Sequence, residues 1–159
     1  MEPWQTLVEA YELEDSLLRK LVSSFPRESR DKPGLDGSLS CHATLAHLAY
    51  WDGFTVDFFR RKLDPGRYPA QPPLDFEDRD RAALDSWAQL PFGEILARYL
   101  EAAASLRDFL AVFWDRLSPR EKQEFWIPLR HHRDHRLALE RSLAAIEGRN
   151  RLDTMAHGA

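Results

Sequence analysis

Four long stretches of this sequence repeat their apolar residues with the 3.6-residue period of an α-helix. They run from about Pro3 to Phe25, from Ser38 or Ser40 to about Leu63, from about Phe92 to Leu117, and from near Pro128 to near Gly148. No segment shows the alternating pattern of a convincing strand. Amphipathic helices of similar length bury their apolar faces by packing side by side. The sequence therefore predicts an all-α fold, and specifically a four-helix bundle.

Proline and glycine mark the connections between these helices. PRESRDKPGLDGS joins the first two, and DPGRYPAQPP follows the second. The connection between helices two and three is long and proline-rich, so we expect a crossover rather than a tight hairpin. Within it, FEDRDRAALDSWAQ predicts a short, exposed helix. Ser118-Pro119-Arg120-Glu121 has the pattern of a capping box with proline at the first helical position, which predicts another short helix.

The length of 159 residues fits one domain of ordinary size. We expect residues 1–150 to form that single helical domain. Gly148 is a plausible C-terminal cap for the last helix. Residues 151–159 then form a polar C-terminal tail, which we expect to fray.

Composition excludes several classes of partner. The net charge is −4, whereas nucleic-acid-binding domains usually carry a basic excess. No stretch approaches the roughly 20 apolar residues of a membrane span. Cys41 is the only cysteine, which rules out an intrachain disulfide and favours a cytoplasmic location. We expect a small-molecule substrate, no nucleic-acid or membrane partner, and leave a homodimer open.

Three histidines fall on predicted inward faces of two helices. His47 lies on the apolar side of the second helix, and His131 and His135 lie on the inner stripe of the last one. A spacing of four residues places two side chains one turn apart on one face, with Cβ atoms about 5–6 Å from each other. Both rings can then reach one metal ion at roughly 2.0–2.1 Å. Bundles build metal sites from side chains on facing helices in this way.

A plainer interpretation exists for each histidine alone. Four-residue spacing often arises by chance, and a lone histidine on an apolar face is more often a hydrogen-bonded core residue than a ligand. The metal hypothesis is stronger because all three histidines are predicted to face inward on helices that could be neighbours. His132 sits at the edge of the inner arc, where it could replace a ligand or line the mouth of the site.

Two acids interrupt apolar stripes and are candidates to support the ligands. Asp52 falls among apolar residues of the second helix, and Asp15 interrupts the first helix between Tyr11 and Leu18. A metal-bound histidine usually donates its other N–H to such a carboxylate. For each acid individually, an ion pair or a cap to a nearby loop is the more common explanation.

Three segments together resemble the DinB-like superfamily, also called the DinB/YfiT-like putative metal-dependent enzymes. They are TLAHLAYWDGF on the second helix, LPFGEILARYLEAAASL at the start of the third, and HHRDH on the last. The similarity spans about Trp4 to Gly148 and depends on the order and spacing of short motifs. It implies a four-helix bundle with a long connection between helices two and three. It also implies a divalent metal on His47, His131 and His135.

Characterised relatives in that superfamily include transferases and isomerases that use bacillithiol, mycothiol or glutathione. Three neutral imidazoles leave open positions on a divalent ion. A water there can reach a pKa near 7, or a small thiol can bind as thiolate. We therefore predict a metal-dependent hydrolase or thiol-cofactor-dependent transferase using zinc, nickel or manganese, with a low-molecular-weight thiol as an optional cofactor. The alternative is a non-catalytic bundle that binds a ligand or protein, with a structural or lost metal site.

Overall fold

The structure is a computed structural model that describes residues 3–68, 76–87 and 89–157, and within them it is helical with no strand. This confirms the predicted all-α fold. The helices, with one 3-10 turn at Trp114–Arg116, are α1 (Pro3–Ser24), α2 (Arg27–Arg30), α3 (Cys41–Leu63), α4 (Phe76–Trp87), α5 (Phe92–Phe113), α6 (Pro119–Glu124) and α7 (Trp126–His157). Among the described residues, none of these helices combines the length and apolar character needed to cross a membrane.

Two predicted helix starts are present in the structure. The Ser40 side chain caps α3 by accepting a hydrogen bond from the backbone N–H of Ala43. At α6, Ser118 and Glu121 form the complete capping box, each side chain bonding the backbone of the other residue. These bonds use N–H groups that have no partner inside the helix.

The ends of the last two long helices differ from the prediction. α5 stops at Phe113 and continues as the 3-10 turn, whereas the sequence pattern extended it to Leu117. α7 begins at Trp126, two residues before the predicted start at Pro128. Pro128 is tolerated in the first turn, because the N–H that it lacks would have no partner there anyway.

α7 also continues through Gly148 to His157, so the predicted stop near Gly148 is wrong. A glycine inside a helix costs only about 1 kcal/mol relative to alanine, and no proline follows to end it. The boundary predicted at residue 150 thus falls inside α7. The predicted tail, residues 151–159, is helical over 151–157, and residues 158–159 lie outside the described residues.

The four long helices contact each other in a closed cycle. α1 packs against α5 and α7, α3 packs against α5 and α7, and α4 lies along α3. This contact pattern favours the predicted four-helix bundle. The predicted crossover between α3 and α5 includes α4, while residues 69–75 of that connection lie outside the described residues.

The apolar core consists of two clusters. One contains Leu7, Tyr11, Val56, Phe59, Leu106, Phe109, Leu110, Trp114, Leu117, Phe125 and Leu129. The other contains Leu18, Val22, Phe25, Cys41, Leu45, Ala46, Leu48, Ala49, Ile95, Tyr99 and Leu139. Along α1 and α3 the boundary between the clusters is occupied by Asp15 and Asp52, both buried. A buried polar layer therefore divides the core, and it adjoins the site described below.

The Tyr11 hydroxyl provides a test of the core next to this layer. It is buried and donates a 2.6 Å hydrogen bond to the carbonyl oxygen of Phe125, which precedes α7. Tyr11→Phe leaves that carbonyl without its donor and should lower the free energy of unfolding by about 1–3 kcal/mol in urea titrations. Tyr50→Phe, where the ring is only half-buried, is the matched control. Equal stability of the two variants would contradict a stabilising role for the hydrogen bond from Tyr11 to Phe125.

Candidate metal centre

The three predicted histidines meet at one point between α3 and α7. His131 Nε2 lies 3.0 Å from His47 Nε2 and 2.8 Å from His135 Nε2. One ligand atom from each of the three side chains lies within 4.8 Å of the others. All three rings are half-buried. The structure thus forms a cluster of three histidines that could hold a metal ion.

Two of the rings are oriented by carboxylates through their other nitrogen. His47 Nδ1 donates to Asp80 Oδ1 at 2.5 Å, and His135 Nδ1 donates to Asp36 Oδ2. Asp80 also accepts a 3.3 Å bond from the Trp51 indole N–H. Metal-binding histidines usually show this arrangement, in which a carboxylate fixes the tautomer and aims the ring.

Asp36 is held in place by a tight turn. The Leu39 backbone N–H donates to the Asp36 carbonyl at 2.9 Å, and Gly37 inside that turn has φ of +59°, which favours glycine. The Asp36 carboxylate also accepts a 3.0 Å bond from the Thr44 hydroxyl of α3. Ser142 of α7 donates a 2.6 Å bond to the carbonyl of Leu35. The turn is therefore anchored to both helices that supply the histidines.

The nitrogen atoms at the centre of the cluster cannot all be joined by hydrogen bonds. A neutral imidazole whose Nδ1–H faces a carboxylate, at His47 or at His135, directs its Nε2 lone pair toward His131. Burial, followed by the nearby His135 and His47, lowers the pKa of His131 to about 3, so it carries a single proton at neutral pH. A neutral His131 can donate from Nε2 to only one neighbour. At least one of the two close nitrogen pairs therefore lies at hydrogen-bond distance without a hydrogen bond.

A cation between the rings would remove this unfavourable contact. Burial lowers the pKa of His47 as well, although Asp80 opposes the shift. Neutral imidazoles are the form that binds metals. Two nitrogens bound to a tetrahedral ion at 2.0–2.1 Å are about 3.3 Å apart, so the observed separations of 2.8 and 3.0 Å need to widen by only a few tenths of an ångström. The donor set fits a divalent ion.

His132 lies outside the cluster, and the structure does not bring it to the ligand position considered from the sequence. Its side chain is 1% exposed, and its Nε2 lies 2.8 Å from Asp52 Oδ1. Its Nδ1 lies 3.3 Å from the Tyr99 hydroxyl, which donates a 2.6 Å bond to Asp15. Arg107 also donates to Asp15.

This buried network is balanced in charge. Burial opposes ionisation of His132, but Asp52 and then Asp15 outweigh it and raise the pKa of His132 to about 10. Burial also raises the pKa of Asp52, and the adjacent His132 opposes that shift. We place the shared proton on the imidazole, because two carboxylates then face two cations, His132 and Arg107. Among the described residues, Asp52 Oδ2 has no hydrogen-bond partner, and burying this oxygen lowers the stability of the network.

Asp52 and Asp15, the acids predicted to support the ligands, both contact His132 and not the three clustered histidines. Asp36 and Asp80 occupy the supporting positions instead. Sequence analysis missed both. Asp36 lies in a turn and Asp80 lies on the predicted short helix α4, and the sequence does not show how either segment packs against the long helices. The Asp36-Gly37 dipeptide is a turn signal, but nothing in the sequence connects that turn to His135.

Comparisons with known proteins give no further assignment. No family model, no curated protein and no solved structure matches the chain. The resemblance to the DinB-like superfamily therefore stays a prediction, and the case for this site depends on its geometry.

Asp80 provides a test of the supporting carboxylates. Asp80→Asn replaces the charged acceptor of His47 Nδ1–H with a neutral amide and should weaken zinc affinity about 10–100-fold. Competition titration against a chromophoric chelator measures this. Asp78→Asn, an exposed acid on the same helix, is the matched control and should leave affinity unchanged. Equal affinities for the two variants would show that Asp80 does not support the site.

Proposed function

We propose that this chain is a divalent-metal-dependent enzyme acting on a small molecule, by hydrolysis or by transfer to a thiol. The observation that supports the proposal is the convergence of three Nε2 atoms at 2.8 and 3.0 Å, with two of the rings oriented by carboxylates. A structural site commonly closes all four positions of its ion with side chains. Three histidines alone leave room for a substrate.

The chain's own residues would hold and orient the ion. His47, His131 and His135 provide neutral nitrogen ligands. When bound, the ion supplies a Lewis acid that polarises a substrate oxygen or lowers the pKa of a water or thiol. Such a thiol would come from a separate small molecule, because Cys41 is fully buried and burial raises the pKa of its thiol to about 12. Zinc, nickel and manganese are the proposed ions, and the cytoplasm is the proposed location.

Removing one ligand tests the proposal. Untagged wild-type protein should bind about one equivalent of zinc, and His131→Ala should weaken binding at least about a hundredfold. Chelator competition gives the affinity, and thermal melts with added zinc give the linked stabilisation. His42→Ala, which removes a half-buried histidine of α3 outside the cluster, is the control and should bind like wild type.

Activity assays extend the same experiment. Metal-loaded wild-type protein and chelator-treated wild-type protein are compared in two assays. One assay measures hydrolysis of activated esters, and the other measures the reaction of added small thiols with electrophiles that accept them. Turnover that disappears both on chelation and in His131→Ala supports the enzyme proposal. Zinc binding below about a tenth of an equivalent would contradict the metal centre. Full binding without turnover would favour the non-catalytic alternative.

A further inference from the structure

A cavity of about 680 Å³ lies near the first turn of α3, and its lining does not include His47, His131 or His135. Its walls come from α2, from the first residues of α3, from α4 and from the start of α5. Pockets for small molecules typically measure about 300–1,000 Å³. The cavity is therefore large enough for the part of a substrate that does not react.

The cavity begins one helical turn from the cluster along two helices. Ala43 lines it and precedes His47 by four residues on the same face of α3, while Leu84 lines it and follows Asp80 by four residues on α4. α3 and α4 run antiparallel here, since His47 meets Asp80 and His42 Nε2 lies 3.3 Å from the Trp87 carbonyl oxygen. One turn corresponds to about 5.4 Å. A single small molecule can span both sites.

Two charges of opposite sign face this cavity from different elements. Arg27 lies on α2 and Asp85 lies on α4. Within the described residues, neither side chain makes a hydrogen bond or an ion pair.

Of the other charged side chains of the described wall, Arg30 is engaged by backbone carbonyls, whereas Asp31 is largely exposed with a histidine as its neighbour. Arg30 donates to the Phe25 and Ser23 carbonyls at the end of α1. Asp31 lies 3.4 Å from His42 Nδ1. Among the described residues of the wall, Arg27 is thus the cation without a partner, and Asp85 is a carboxylate without a basic neighbour.

We propose that the cavity binds the distal end of the substrate, and that this end is zwitterionic, of the amino-acid type. The inference rests on the proposed function, because it takes the reacting end to lie at His47, His131 and His135. An anionic group would pair with Arg27 and a cationic group with Asp85. The small apolar side chains of Ala43 and Ala46 leave space for the linking carbons. A ligand with one charge would be attracted by one of these side chains and repelled by the other, so the charges would add little to its affinity.

Four matched thiols test this on cobalt-loaded protein, because thiolates bind such ions and the complex absorbs light. They are 2-amino-6-mercaptohexanoate, 6-mercaptohexanoate, 6-mercaptohexylamine and 6-mercaptohexanol. The zwitterionic thiol should bind about tenfold more tightly than the alcohol, since two ion pairs of modest strength add. Arg27→Gln should weaken binding of the two carboxylate-bearing probes about threefold without weakening binding of the amine or the alcohol. Asp85→Asn should weaken binding of the two amine-bearing probes about threefold without weakening binding of 6-mercaptohexanoate or the alcohol.

Control variants keep the result interpretable. Arg27→Lys retains the charge and should restore most of the affinity for carboxylate probes. Arg19→Gln, an exposed arginine of α1 away from the cavity, should change nothing. Equal affinities for all four thiols, or an order of affinities unaffected by either cavity variant, would overturn the proposal.

A metal-free arm separates this inference from the proposed function. 2-Aminohexanoate, hexanoate, hexylamine and hexanol are titrated into metal-free protein and followed by protein NMR. Shifts at the cavity that are strongest for 2-aminohexanoate, and reduced by both variants, support the cavity even if cobalt does not load. Failure of cobalt loading contradicts only the metal centre, whereas equal shifts for all four compounds overturn the cavity proposal.

Discussion

The rotation of α7 about its own axis is the constraint on which the site depends. His132 is buried between Asp52 of α3 and Tyr99 of α5, and Tyr99 in turn bonds Asp15 of α1. One polar layer therefore connects all four long helices at a single level. On the side of α7 facing α1, Glu14 accepts bonds from Arg133 and Arg136 at 3.0 and 2.6 Å. With that rotation fixed, the neighbouring positions 131 and 135 can only face α3.

The polar layer and the histidine cluster have different physical roles. The layer is balanced in charge and almost fully desolvated, so removing one member would leave a buried charge without its partner. The cluster is half-buried and holds close nitrogen pairs that cannot all share a hydrogen bond, so a cation would stabilise it. Its supporting acids are anchored independently, Asp36 by the turn before α3 and Asp80 by α4. The fold thus sets the positions of the rings, which is the preorganisation that the proposed metal centre would need.

Sequence periodicity was sufficient for the all-α fold and for placing three histidines on facing helices. It was sufficient because both properties follow from which face of a helix is apolar. The contacts of Asp36 and Asp80 could not be predicted from the sequence, because both residues lie on connecting segments whose positions depend on tertiary packing. The helical wheel places His132 at the edge of the inner face of its helix. In the structure it is buried, and two acids from other helices balance its charge. The end of α7 was predicted wrongly, because a glycine such as Gly148 allows a helix to end but does not force it to end.

The most direct test of the account is X-ray absorption at the zinc edge of untagged protein with one equivalent of zinc. The account predicts about three imidazole nitrogens at roughly 2.0–2.1 Å, with the multiple-scattering features of the rings, and loss of part of that signal in His131→Ala. A spectrum of zinc surrounded only by water oxygens, identical in wild type and variant, would contradict it.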